Sequence, residues 1–444
     1  MSRKTLHKAG LAAILAVCAA FSASGQATGT YTPYSIFGVG DLSQPGSAYN
    51  KTMGGVGIAS RNNLYINLLN PAAVTARDVS AESYLGNPLM TDFSLYSDNK
   101  LFRQGDITSA SNTVNINDLA LSFPIWRSSA MMVGIMPYSD TGFGYSFDYT
   151  DPELIGRTGS ISYSAKGSGS IYKVFAAAGV TFFKRLSLGA QWNFYFGDIE
   201  KTYYTLFNDA SYNSIKNGTS AKVTGHAGKF GLQYEQPLGP KLTLCLGATY
   251  TTAASLRGTV EASRSLAAST AASDTLFYRR DNLGKGSEAK LAGEIGVGIS
   301  LRGAGRWRAE FDYTRSDWTK CGLEDIRGFA SGKLFSTTVA EAYRAGFEIV
   351  PNRNDIRYYF NRVAYRVGAY YKKDYFLLNG NEIASKGITI GMTLPIINGF
   401  NGLTLGMDFG QRGSVENALV RERYINFSVG FNLYDLWFRK YQYE

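Results

Sequence analysis

Residues 186–196 read Leu-Ser-Leu-Gly-Ala-Gln-Trp-Asn-Phe-Tyr-Phe. In an extended chain Leu186, Leu188, Ala190, Trp192, Phe194 and Phe196 share one face, and Ser187, Gly189, Gln191, Asn193 and Tyr195 share the other. One face is greasy and the other is small or polar. The same pattern returns in Ile295, Val297, Ile299 and Leu301, opposite Glu294, Gly296, Gly298 and Ser300. It returns in Trp307–Tyr313, in Ile388–Ile396, in Leu403–Phe409 and in Ile425–Leu433. Alternation of this kind, repeated along a chain, is the mark of strands that face lipid on one side and a lumen on the other. A soluble β-sandwich also alternates, but its strands average about five or six residues and its core takes large side chains.

Working outward, the pattern predicts an all-β chain with about 14 antiparallel transmembrane strands: 79–97, 114–125, 129–148, 168–184, 186–207, 219–236, 241–262, 287–303, 305–319, 336–351, 359–377, 383–397, 400–415 and 419–434. Connections after even-numbered strands are mostly short. Those after odd-numbered strands are longer: 98–113, 149–167, 208–218, 263–286 and 320–335. Short periplasmic turns against long outer loops is the asymmetry of a closed barrel, and it predicts both termini in the periplasm.

The first residues set the compartment. Arg3, Lys4 and Lys8 precede an apolar run from Leu11 to Phe21, then Ala23-Ser24-Gly25. This is a secretory signal pattern, predicted to occupy 1–25, and its run is too short to span a bilayer. Cys18 lacks the small residue before it that lipid attachment would favour. No later stretch is long and apolar enough for a spanning helix. Tyr at 30, Phe at 26 and Gly at 49, against 11 Pro, suit many half-greasy strands. The formal net charge of +10 is scattered, without a basic run, which argues against nucleic acid and for a rim facing anionic lipid or lipopolysaccharide. Together these features predict the outer membrane of a Gram-negative-type bacterium.

Residues 26–78 do not alternate. They carry Met53-Gly54-Gly55-Val56-Gly57-Ile58-Ala59 and then Asn67-Leu68-Leu69-Asn70-Pro71-Ala72-Ala73. Gly54, Gly55 and Gly57 permit close backbone packing, and Asn70-Pro71 marks a turn, so a compact plug in the lumen is expected. Strand three contains Pro137, which cannot donate to a ladder, with Gly142 and Gly144 beyond it, so a kink or bulge is expected there.

On these residues the chain resembles the FadL-like family of outer-membrane transporters for long-chain fatty acids and other hydrophobic compounds. The resemblance implies an N-terminal hatch built from Gly54, Gly55 and Gly57 with Asn70, Pro71 and Ala72, ahead of a 14-stranded barrel at 79–434. It implies a lateral gate at Pro137, Gly142 and Gly144, through which hydrophobic cargo would leave passively. Relatives of that family also serve as non-transporting accessory subunits of outer-membrane assembly or secretion complexes, and this remains the alternative. Two departures stand out. The segment with Tyr31, Tyr34, Ile36 and Phe37 is longer than a minimal hatch, and a tail follows at 435–444. Both are expected to offer periplasmic docking surfaces to protein partners.

No enzyme is expected, and no cofactor or metal. After the signal segment His226 is the single histidine, and it lies among Gly225, Ala227 and Gly228. Asp408-Phe409-Gly410 and Ser170-Ile171-Tyr172-Lys173 echo catalytic motifs but sit in alternating strands without companion motifs. Cys245 and Cys321 are predicted to lie too far apart to pair.

Overall fold

The computed structural model describes residues 29–75, 88–126, 128–209, 211–266, 275–284, 288–303, 305–329, 334–396 and 401–436. The predicted signal peptide, the expected boundary between hatch and first strand, and nearly all of the tail lie outside them.

The wall is one antiparallel sheet. Its strands are β1 (Pro88–Gln104), β2 (Ile107–Trp126), β3 (Ser129–Asp148), β4 (Ile161–Phe182), β5 (Leu186–Phe207) and β6 (Ile215–Gly239). β7 runs as Leu242–Thr251 and Arg257–Leu266, and β8 as Thr275–Leu283 and Glu294–Gly303; at the interruptions Ala254–Ser255 and Lys290–Leu291 pair with each other as a separate two-stranded ladder. Then come β9 (Trp307–Asp317), β10 (Phe335–Thr337 and Val339–Ile349), β11 (Ala364–Leu378), β12 (Asn381–Ile396), β13 (Asn401–Arg412) and β14 (Arg421–Leu436). Pairing of β1 with β14, from Pro88↔Leu436 to Arg103↔Arg421, closes the sheet. The 14-stranded antiparallel barrel expected from the alternation is the fold found. Closure leaves few strand edges, which suits a backbone surrounded by hydrocarbon.

Burial is inverted relative to a soluble protein. Buried wall residues include Asp92, Gln191, Asn193, Gln233, Arg308, Glu348, Thr389 and Asn426, whereas Leu188, Trp192, Phe230, Leu246, Ile299, Phe311, Ile390 and Phe427 are exposed. His226 is exposed among the latter, against Phe194. No described helix is long and apolar enough to cross a membrane.

The rims differ from expectation in one respect. The span 98–113 is strand, because Asp98–Gln104 pairs with Ile107–Thr113 across a tight turn at Gly105. Its Ser, Thr and Asn residues read as loop, yet they extend the hairpin beyond the greasy band. Likewise β4 starts at Ile161 and β8 at Thr275. Residues 318–329 remain a loop. It folds inward, where Trp318, Leu323, Ile326 and Phe329 join Val260, Leu283, Phe335, Phe376, Tyr34 and Val39 in a buried apolar cap. Cys321 lies in this cap as a free thiol, and burial pushes its pKa up to about 11. Cys245 is also free.

The outward face sets one expected outcome. Ile299→Arg, placed mid-strand against lipid, lowers barrel stability by about 2–4 kcal/mol in urea-driven unfolding from vesicles. Ile299→Leu, which keeps the lipid face apolar at the same position, changes it by less than about 1.5 kcal/mol.

Candidate functional site

Residues 29–75 lie against the inward faces of the wall, and the contact is backbone to backbone. The hatch residues meet a row of wall glycines that are paired with one another across strands: Gly179↔Gly189↔Gly231, Gly247↔Gly298, Gly346↔Gly368 and Gly391↔Gly406. A Cβ on Gly189 would strike Pro71 and Ala72; on Gly247, Ile58 and Ala59; on Gly368, Met53 and Gly54; on Gly391 or Gly406, Thr52. The wall is thus scooped out at the height of the hatch. The fit is reciprocal at Gly54, whose positive φ of 74° few other residues adopt and where a Cβ would stand 2.8 Å from the Ala345 and Ala369 carbonyl oxygens. Gly54 N–H donates to Thr389 Oγ1 at 2.8 Å. Gly57 and Ile58 N–H both donate to the Asp312 carboxylate, at 2.6 and 2.9 Å. Gly55, also at positive φ, packs beside the Arg344 side chain.

Asn70-Pro71-Ala72 forms a clasp. Asn70 Oδ1 accepts from Ala72 N–H at 3.0 Å, which starts the 3-10 turn Pro71–Thr75. Pro71 suits that first position because its missing N–H needs no partner there. Asn70 Nδ2 donates to Ile58 O at 2.7 Å and reaches the Leu232 and Ala248 carbonyls at 3.3 and 3.5 Å. One amide therefore joins both ends of the hatch and two wall strands. Asn70 and Ala72 are fully buried.

Charged wall residues fasten the hatch at several points, some by ion pairs and others by rings and hydroxyls. Arg366 pairs with Glu348 at 2.8 Å and lies over the stacked rings of Tyr49 and Tyr65, 4.4 Å from the Tyr49 centroid. Arg308 donates to Tyr49 OH and Ser60 Oγ, each at 2.9 Å, beside Glu310. Arg61 of the hatch pairs with Glu235 at 3.0 Å and donates to Ser187 Oγ. Nearer the loop rim, Asp41 binds Arg412 at 3.0 Å, and Arg412 also binds Asp374 at 2.7 Å. Lys100 meets Asp98 at 2.7 Å close by. Glu294, Arg308, Glu310 and Asp312 all face inward, and the last three hold the hatch or its immediate partners.

Pro137, Gly142 and Gly144 mark where the wall parts. β2 pairs with β3 only from Trp126↔Ser129 to Leu119↔Ile135, and the β3–β4 ladder shifts register between Pro137 and Ser139. From Met136 onward the freed edge of β3 bonds to the N-terminal arm instead. Asp41↔Asp140 and Leu42↔Ser139 pair as strand, Ser43 N–H donates to Tyr138 O at 3.0 Å, and Thr32 N–H donates to Gly142 O at 2.8 Å. Gly142 N–H donates to Ser35 Oγ at 3.0 Å, and Tyr31 OH donates to Gly144 O. Across the seam Asn115 of β2 donates to Gly29 O. The arm residues expected to dock partners in the periplasm are thus spent inside the barrel. Tyr34 is buried with its OH on Val420 O, and Phe37 stacks on Phe335.

Between hatch and cap remains a cavity of about 310 Å³. Its lining includes Asp41, Lys100, Lys173, Lys229, Glu294 and Asp408. Apolar residues such as Leu42, Leu68, Met136 and Trp318 share that lining with the charges. No group of His, Cys, Asp and Glu able to hold a metal occurs among the described residues. Sequence reasoning singled out Gly54, Gly55, Gly57, Asn70, Pro71 and Ala72, which lie against the inward wall, and Pro137, where the β3–β4 ladder shifts register. It missed the wall glycines, the Arg308 and Arg366 clusters with Tyr49 and Tyr65, and the Asp41–Arg412 cluster. Their signal was present as inward-facing Gly, Arg and Glu in alternating strands, but nothing local says that they meet the hatch.

Two substitutions test the fastening. Gly368→Leu displaces the hatch and exposes 29–75 to protease in folded barrel, whereas Val367→Leu on the outward face leaves it protected. Arg366→Ala strands Glu348 in the interior and costs about 3–5 kcal/mol of stability, read as a lower midpoint of heat-dependent gel migration.

Solved structures share the fold. A monoaromatic hydrocarbon channel, CymD, has 15% identity and a TM-score of 0.54, covering 87% of this chain and 97% of its own. The Ralstonia pickettii toluene transporter TbuX has 13% identity and a TM-score of 0.54, covering 88% and 98%. A Pseudomonas aeruginosa FadL homologue has 10% identity and a TM-score of 0.50, covering 89% and 98%. The likeness to FadL-type proteins implied by the hatch and strand-three residues therefore holds at the level of fold, and the chain is an outer-membrane β-barrel of that architecture. No curated protein matches by sequence. The family model that matches is BamG, over residues 5–444, and the chain belongs to the BamG family.

Proposed function

We propose that this barrel is a closed, non-transporting subunit of a larger outer-membrane assembly, with the hatch acting as a fixed keystone. The observation that carries the reading is the lumen. Residues 29–75 are tied to the wall by the ion pairs Arg61–Glu235 and Asp41–Arg412 and by Tyr49 and Tyr65 against Arg308 and Arg366, and Lys100, Lys173, Lys229, Glu294 and Asp408 stand in the space above. An apolar cargo filling this space would strip water from those charged groups, which costs free energy unless each is paired. Moving residues 29–75 would break Arg61–Glu235 and Asp41–Arg412 and take Tyr49 and Ser60 from Arg308, leaving buried groups without those partners. In this reading the short connections face the periplasm, with lipid and lipopolysaccharide around the wall and protein partners at its rims.

A second reading is passive uptake of hydrophobic small molecules, fatty-acid-like or aromatic, with release through the seam beside Pro137, Gly142 and Gly144. The seam between β2 and β3 favours it, as do the printed names of the channels that share the fold. Affinity purification of the full chain from native membranes, together with uptake of labelled toluene and oleate in a deletion strain, separates the two. The subunit reading expects a stoichiometric protein partner and unchanged uptake. Loss of uptake by tenfold with no co-purifying protein would sink it and establish transport.

A further inference from the structure

The short connections share one rim, expected to face the periplasm, and one of them is not short. The turns after β2, β4, β6, β8 and β12 take two to four residues each, whereas the connection between β10 and β11 runs from 350 to 363. It is folded in its own right. Asn352 N–H donates to Asn361 O at 2.8 Å and closes the loop at its base. Asp355 Oδ1 accepts from the N–H groups of Arg357 and Tyr358, each at 2.8 Å, and its Oδ2 accepts from Asn361 Nδ2 at 2.5 Å. Yet Ile356, Tyr358 and Phe360 are 99%, 56% and 72% exposed. An ordered loop that holds apolar side chains in the open has already met the ordering cost of binding a surface.

The cations of this loop are unspent. Arg357 lies over the Tyr358 ring at 5.3 Å, and Arg362 over the Tyr359 ring at 5.1 Å. Among the described residues neither of them, nor Arg353, forms an ion pair or a side-chain hydrogen bond, and Arg362 Nε is buried without a partner. Asp355, the only acid in the loop, has both oxygens on the bonds just given. On one side, Val350 N–H donates to Arg306 O at 2.6 Å, which brings a further arginine. On the other, the connection 397–400 is Ile-Asn-Gly-Phe and supplies no acid.

Position and charge select the occupant. Tyr365 OH donates to Phe360 O at 3.2 Å, and Tyr359 OH donates to Pro395 O at 3.1 Å. Tyr365 is an outward residue of β11, exposed like Val367 beyond it, so the loop leans on the lipid-facing side of the wall. The other connections of this rim add Lys184, Arg185 and Lys241 without an acid, whereas the opposite loops mix signs, as in Asp151, Glu153 and Arg157. A protein partner would touch one arc of the rim; a lipid leaflet meets all of it. Tyrosines beside arginines suit the headgroup level of a bilayer, and a guanidinium fork matches a phosphate. We propose that residues 350–363 form a phospholipid-binding loop. Arg357 and Arg362 hold the phosphate of an anionic headgroup, and Ile356, Tyr358 and Phe360 sit in the leaflet. The site is independent of whether the barrel carries cargo.

The test places the full chain in nanodiscs of equimolar phosphatidylcholine and phosphatidylglycerol, extracts it in detergent and counts the lipids kept by native mass spectrometry. Phosphatidylglycerol is kept about tenfold over phosphatidylcholine, and Arg357→Gln with Arg362→Gln removes that preference. Heat-dependent gel migration like that of the unaltered chain shows that the variant folds. A second measurement needs no variant: amide exchange across 352–362 is about tenfold slower in nanodiscs containing phosphatidylglycerol than in phosphatidylcholine alone. Equal retention of the two lipids by the unaltered chain, an undiminished preference in the folded variant, or exchange that ignores phosphatidylglycerol overturns the proposal. So does protection of 352–362 by a co-purified protein in place of lipid.

Discussion

Everything inside this barrel depends on how closely the hatch backbone approaches the wall backbone. Side chains normally hold a plug away from a sheet, leaving a gap for water or cargo. Here the wall presents glycines at the height of the hatch, and Pro71, Ala72, Ile58, Met53 and Thr52 occupy the space that side chains would fill. Main-chain N–H groups of the hatch then reach wall acceptors such as Thr389 and Asp312 directly. Once donors and acceptors are this near, no water layer separates them, and the polar groups of each surface are satisfied by the other.

The ionic groups follow from that proximity. A polar lumen in a barrel is usually wet, and its charges are screened. With the hatch in place Arg366, Glu348, Arg308 and Glu310 are withdrawn from water, so each must be paired. Pairing is supplied partly by the wall and partly by hatch hydroxyls and rings: Tyr49, Tyr65 and Ser60. The wall clusters are therefore incomplete without the hatch.

The greasy half of this architecture was legible in the sequence, and the polar half was not. Lipid imposes a period of two on every strand that crosses it, so Leu186–Phe207 and Ser129–Asp148 emerge with the bounds the alternation gives. Beyond the bilayer that demand lapses. Hence 98–113, rich in Ser, Asn and Asp, reads as loop although it continues the hairpin of β1 and β2. Pro137 announced its bulge because a residue without an N–H cannot join a ladder. Gly189 and Gly368 announced nothing, since a glycine on an inward face looks the same whether it meets water or a plug. The pairing of Asp41 with Arg412, far apart in sequence, arises from threading the arm through the closed wall and has no local signature.

The seam beside Pro137 can be weighed on the same terms. Past Ile135 the backbone of β3 is no longer bonded to β2, and the arm from Tyr31 to Ser43 takes up its exposed groups. Within a bilayer each such group left bare costs several kcal/mol. Whatever displaces the arm must therefore bring donors and acceptors of its own in register with Tyr138, Asp140 and Gly142. A hydrocarbon has none, so an apolar molecule could pass only while the edge stayed unbonded. A polypeptide strand has both, at the right spacing, and could replace the arm bond for bond. The seam is thus a strand edge closed by the chain's own arm, held by backbone bonds that an apolar molecule does not replace.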